Sequence, residues 1–240
     1  VTTGPDGNEL AEIHHQHRDV TGGWLRPAVF GVMDGLVSNF ALIAGVAGGG
    51  AEHKAVALAG FAGLVAGAVS MATGEYTSVA SQAELTRAEI AVERTEIKRA
   101  PAAEMHELAQ LYEARGVEPE LARQVAEQLS RNPEQAWRIH AREELGVDPD
   151  DLPSAWTAAF SSFISFTIGA FLPLLPYLLG ADSLLFASVL AGIGLFTAGA
   201  LTARFTSRNW LFSGARQLIL GAFAAAVTFG IGAAVGQGLS

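Results

Sequence analysis

The side chains able to do chemistry in this chain are carboxylates, histidines and a methionine set at helical spacing. Asp34 is the one charged residue in the run 27–50. A carboxylate inside an apolar span costs on the order of 3 kcal/mol or more unless it faces protein, water or an ion. It is either a hydrogen-bonded structural Asp near Gly35 or a ligand on an ion pathway. Met71 and Glu75 stand four residues apart, on one face of a helix. A thioether beside a carboxylate suits a borderline transition metal. Farther on, Glu89, Glu93 and Glu96 fall at i, i+4 and i+7. Glu104 and Glu107 follow Pro101 at i and i+3, and His140 and Glu144 stand at i and i+4, with Glu143 beside them. Carboxylates from three short helices can converge on a divalent cation. A solvated acidic face balanced by Arg94, Lys98 and Arg99 explains the same composition. His14, His15 and His17 near the start are either loose metal ligands or incidental.

Several chemistries are excluded. The chain has no Cys, hence no disulfide framework and no thiolate site. The formal net charge of −9 argues against nucleic acid as a partner. Di-iron carboxylate enzymes need two Glu-x-x-His motifs, and the one present, Glu12 to His15, lies in the opening tail. No Gly-rich phosphate loop ends in Gly-Lys-Ser/Thr, so ATP drive is unsupported. The chain is not expected to be an enzyme or to keep a permanent cofactor.

The elements that must position these residues are membrane helices. Residues 55–74, 153–181, 183–203 and 217–240 hold no Asp, Glu, Lys or Arg. With 27–50 they make five stretches of the length needed, about 20 residues, to cross the hydrocarbon core. The expected fold is an all-α membrane protein of five transmembrane helices, with a helical metal-binding domain inserted between spans two and three. Its parts are a polar tail (1–26), spans one and two (27–80), the helical domain (81–153) and spans three to five (154–240). Span two runs past residue 75 without a Pro, which predicts one long helix leaving the membrane. Pro173 and Pro176 are expected to kink span three and free carbonyls. Gly31/Gly35 and Gly63/Gly67 allow close contact between helices or subunits.

Charge asymmetry orients the spans. If the five spans alternate, fourteen of the fifteen basic residues fall on one side and only Lys54 on the other. The positive-inside rule then puts the N-terminus and helical domain in the cytoplasm and the C-terminus outside. The Ala- and Gly-rich spans suggest a bacterial chain, and so the cell membrane.

The run RPAVFGVMDGLVSNFALIAGV at 26–46 resembles the first span of the vacuolar iron transporter family, and VAGAVSMATGEYTSVASQ at 65–82 resembles its second. The acidic domain, LPLLPY at 172–177 and ARQLILGAFAAAVTFGIGAAVG at 215–236 continue the likeness. The resemblance implies a proton-coupled exporter of ferrous iron, often of manganese, built as a homodimer of five-span subunits. It implies a path between subunits faced by Asp34 and Met71, and a cytoplasmic module of three helices whose ligands match Glu93, Glu96, Glu104, Glu107 and Glu144. With the resemblance, the metal-site reading of the helical domain overtakes the solvated face. Two positions depart from the family pattern. Some members carry a Glu where this chain has Gly63, and Glu75 is the natural candidate for its role. A Met of some members aligns with His140, whose imidazole also suits Zn²⁺ and Co²⁺. The implied partners are divalent metal, protons and the bilayer. A passive channel and a membrane-anchored sensor or buffer are the competing classes.

Overall fold

The computed structural model describes residues 23–206 and 208–239. The histidines at 14, 15 and 17, and most of the polar tail, lie outside the described residues. Eight helices follow in order: α1 (Leu25–Gly48), α2 (His53–Arg99), α3 (Pro101–Ala114), α4 (Pro119–Ser130), α5 (Pro133–Glu143), α6 (Ala155–Leu178), α7 (Leu184–Thr206) and α8 (Trp210–Leu239). No strand occurs among the described residues. Five of the helices, α1, α2, α6, α7 and α8, are long and apolar enough to cross a membrane.

α1 is the hub of the bundle, packed against α2, α6, α7 and α8. Small residues let the backbones close. Gly31 and Gly35 meet the α6 backbone at Ser162 and Phe166, and Gly169 of α6 meets Val32 in return. On the other side Gly232 and Gly236 of α8 sit against Gly45 and Gly49. The Gly pairs of the first two spans serve contacts within the chain, Gly63 meeting Leu42 and Asn39 and Gly67 meeting Phe166. Side chains add hydrogen bonds to main-chain carbonyls across these seams. Ser161 donates to Trp24 at 2.7 Å, Asn39 to Ala170 at 2.7 Å and Thr228 to Ala41 at 2.7 Å. The apolar core of Ile43, Leu64, Ala68, Phe166, Ala170 and Leu174 lies between α1, α2 and α6. Large apolar side chains such as Leu58, Phe61, Ile168 and Phe223 point outward and are exposed, as a lipid-facing surface requires.

One element differs from the sequence reading. The charge-free window starts span five at 217, but α8 starts at Trp210 and carries Arg216 two turns inside. Asn209 caps it, its Oδ1 accepting from the Leu211 N–H at 2.8 Å. A long guanidinium can reach the helix end from that depth, so the charge does not stop the helix. α6 runs unbroken through Pro173 and Pro176. Each proline removes one ladder hydrogen bond without ending the helix.

α2 is continuous over 47 residues, about 70 Å, so only part of it fits within the bilayer. The remainder packs with α3 and α5, and α4 packs on those two. Each of these short helices opens with a Pro in its first turn, where the missing N–H costs nothing. Gly116 and Gly146, at φ 93° and 66°, turn the chain after α3 and α5.

The α1–α8 seam has a direct test. A Cβ on Gly232 overlaps the Gly45 carbonyl, whereas one on Gly230 meets nothing within 4 Å. Gly232→Ala should cost about 1–3 kcal/mol by overpacking. Gly230→Ala should be neutral or gain up to about 1 kcal/mol. Thermal melts in detergent separate them, and equal melting temperatures would contradict the seam.

Candidate metal centre and membrane cavity

The helical domain folds around one buried imidazole. α2 offers Ile90 and Ile97 one turn either side of Glu93, and α5 covers them with Ala136, Trp137 and Ala141. The Arg94 guanidinium lies 3.8 Å from the centre of the Trp137 ring and shields it from water. This contact carries His140, only 1 % exposed, to the side of Glu93. The chain reverses at Ala100, and Pro101 starts α3 so that Glu104 in its first turn points back at the same spot. Glu104 is also buried.

His140 Nδ1 is 2.7 Å from Glu144 Oε1, 3.8 Å from Glu104 Oε2 and 3.9 Å from Glu93 Oε2. Glu93, Glu104 and His140 each present a ligand atom within 4.8 Å of the others. Glu93 Oε2 and His140 Nε2 are buried with no hydrogen-bond partner. An unmet buried polar atom costs about 1–3 kcal/mol, which is unusual outside a site that binds something. Two or three carboxylates with one imidazole are a donor set for a divalent first-row metal.

Of the residues expected at this site, Glu93, Glu104, His140 and Glu144 come together. Glu96 and Glu107 are exposed at its edge, near enough that their charges act on Glu104 and Glu144. Glu89 is exposed and stays outside. Glu143 is drawn away. Arg115 at the end of α3 pairs with its carboxylate and Tyr112 donates to it at 3.2 Å. That pairing ties α3 to α5 and leaves the neighbouring Glu144 for the cluster.

Crowding holds protons on the cluster. Burial is the largest influence on Glu93, followed by Glu144, then Glu104 and Glu96, and His140 opposes them. The result is a carboxyl pushed up to about 7. Glu104 and Glu144 are raised too, burial again first.

In the membrane part, α1, α2 and α6 enclose a cavity of about 280 Å³ lined by Asp34, Ser38, Asn39, Gly63, Met71 and Phe166 among others. Asp34 and Met71 share it. Glu75 is half-buried one turn beyond Met71 and does not line it. Asn39 was missed by a reading that followed charge, although an amide inside an apolar run is itself a signal. It is 2 % exposed, and its Oδ1 has no partner. That oxygen lies at Gly63, where an added Cβ would stand 2.9 Å from it. The position departing from the family pattern thus borders an amide oxygen in this chain.

Two predictions follow from this geometry. Glu93 binds its proton more tightly folded, near pH 7, than unfolded, near 4.5. Its contribution to stability is complete below about 4.5 and is lost as pH rises through about 7. Metal-free protein should therefore lose stability across that window, and Glu93→Gln should flatten the loss. Melts at stepped pH read this, and an unchanged slope in the variant would refute the assignment. Separately, His140→Ala should weaken divalent-metal binding at least tenfold by calorimetry, while Glu89→Ala leaves it within twofold. Equal effects would remove His140 from the site.

The VIT family model matches residues 25–233. The chain is 34% identical to "Vacuolar iron transporter 1" of Arabidopsis thaliana over 95% of its own length and 93% of that protein. It is 36% identical to "Vacuolar iron transporter 1" of Oryza sativa subsp. japonica, over 92% and 90% of the two chains. For "Vacuolar iron transporter" of Acanthamoeba castellanii the figures are 37%, 88% and 78%. A five-span bundle with a Glu/His cluster where its long second helix meets α3 and α5 is thus the form taken here by a chain that belongs to the VIT family.

Proposed function

We propose that this protein moves ferrous iron, and manganese as a second cargo, out of the cytoplasm in exchange for protons. The observation that carries the reading is that one uninterrupted helix bears both Met71 of the membrane cavity and Glu93 of the Glu/His cluster. The relatives named as iron transporters support iron as the cargo. The basic residues gathered at one end of the bundle support a cytoplasmic helical domain and an external C-terminus. Ala- and Gly-rich composition supports a bacterial cell membrane, whereas the similar plant and amoebal proteins are named for the vacuole.

In this mechanism the acidic domain gathers divalent ions and raises their concentration beside the membrane. Glu75 receives the ion near the inner mouth, and Met71 and Asp34 carry it through. Ser38 and Ser70 on the cavity rim are exposed at the depth of apolar spans. A second copy of the chain would cover them, and two Asp34 carboxylates would then offset the ion's double charge. Protons from outside convert Asp34 to a poor ligand and release the metal.

Liposomes holding the purified chain and a metal-sensitive dye test this. Fe²⁺ and Mn²⁺ flux should follow an imposed pH gradient, and Asp34→Asn should abolish it in a protein that still melts cooperatively. Co²⁺ and Zn²⁺ measured alongside report selectivity. Flux indifferent to the gradient means a channel. Metal binding without flux means a sensor or buffer.

A further inference from the structure

A second and larger cavity, about 670 Å³, lies on the opposite side of α1 between α1, α7 and α8. Its lining includes three arginines, Arg26, Arg208 and Arg216. They come from the second residue of α1, the α7–α8 connection and the second turn of α8. All three are exposed, and among the described residues none forms an ion pair. Four arginines of the helical domain, Arg115, Arg123, Arg138 and Arg142, each hold a carboxylate. Below the arginines the wall is apolar, with Phe30, Met33 and Leu220. Trp24 and Trp210 are exposed at the same end of the bundle, 53% and 54%. Exposed tryptophans mark the level where hydrocarbon meets headgroups. Three unpaired guanidiniums at that level, above an apolar wall, match a phosphate carrying acyl chains.

We propose that this cavity binds the headgroup of an anionic phospholipid, with Arg26, Arg208 and Arg216 on the phosphate and an acyl chain along Phe30, Met33 and Leu220. Guanidinium forks hold phosphate oxygens in pairs. Asp34 lies deeper in the same cavity, eight residues down α1 and about 12 Å from the level of Arg26. Its carboxylate repels an anion and keeps the headgroup at the rim. The charge argument stands apart from the transport reading. Only the assignment to the cytoplasmic leaflet, where anionic lipid is abundant, rests on the orientation proposed above.

Native mass spectrometry of the full-length chain in detergent tests the site, with phosphatidylglycerol and phosphatidylcholine of equal chain length in competition. Wild type should retain phosphatidylglycerol selectively, and millimolar inorganic phosphate should not displace it. Each of Arg208→Gln and Arg216→Gln should weaken retention about fivefold. Arg131→Gln in the helical domain should leave it unchanged. Equal retention of the two lipids overturns the proposal, as does displacement by phosphate alone, which would mark a site for a soluble anion. A change of oligomeric state in Arg216→Gln would also overturn it, making this face a protein interface. Stronger retention after Glu9→Gln with Asp19→Asn would do the same, assigning the cavity to the chain's own acidic tail. Arg208 lies between helices, so its variant and the wild-type competition decide the matter even where Arg216→Gln fails to fold.

Discussion

Hydrocarbon supplies no hydrogen-bond partner, so a polar group at membrane depth must be met from inside the protein. In this bundle α1 answers that constraint by sitting among the other four spans. Glycines on two of its sides bring α6 and α8 to backbone contact, and Asn39 spends its amide N–H on the Ala170 carbonyl. What remains of α1's polar capacity, the Asp34 carboxylate and the Asn39 oxygen, is turned into a small cavity shared with Met71. Tight seams on either side make that cavity a defined space. A looser bundle would let lipid tails or neighbouring side chains fill it.

The helical domain solves the reverse problem. Burying carboxylates works against folding. The fold tolerates them because apolar contacts from Ile90, Ile97, Trp137 and Ala141 are made on the same turns. Ion pairs at the periphery, Arg115 with Glu143 and Arg142 with Asp148, join α3 to α5 and α5 to the loop after it. The interior keeps proton-holding carboxyls and unpaired atoms that a divalent cation would satisfy in one step.

Much of this was legible in the residues. Charge-free windows mark four spans, a run charged only at Asp34 marks the first, and the absence of Pro between Lys54 and Pro101 announces the long second helix. The start of α8 was not legible from charge, because an arginine two turns inside a helix can still reach the headgroup level. At the cluster, helical spacing pointed to Glu93, Glu104, His140 and Glu144 but could not separate them from Glu89, Glu96 and Glu107. That separation depends on which turn of α2 lies beneath α5, a tertiary fact. Glu143 and Glu144 are neighbours of the same type, and Arg115 and Tyr112, from the far end of another helix, distinguish them. Asn39 was legible and went unread, since an uncharged amide does not register in a reading that follows charge.

The unbroken course of α2 has a mechanical meaning. Met71 and Glu93 are 22 residues apart, about 33 Å along the axis, and 22 steps of a 3.6-residue helix return to within about 40° of the same azimuth. The two side chains ride one rod in nearly the same phase. A roll of the rod about its axis swings both in the same direction. A lean of 10° about the level of Met71 shifts the Glu93 level sideways by about 6 Å. The cluster stands at the end of a long arm on this rod, so a small change of angle at the level of Met71 becomes a sideways displacement at the cluster.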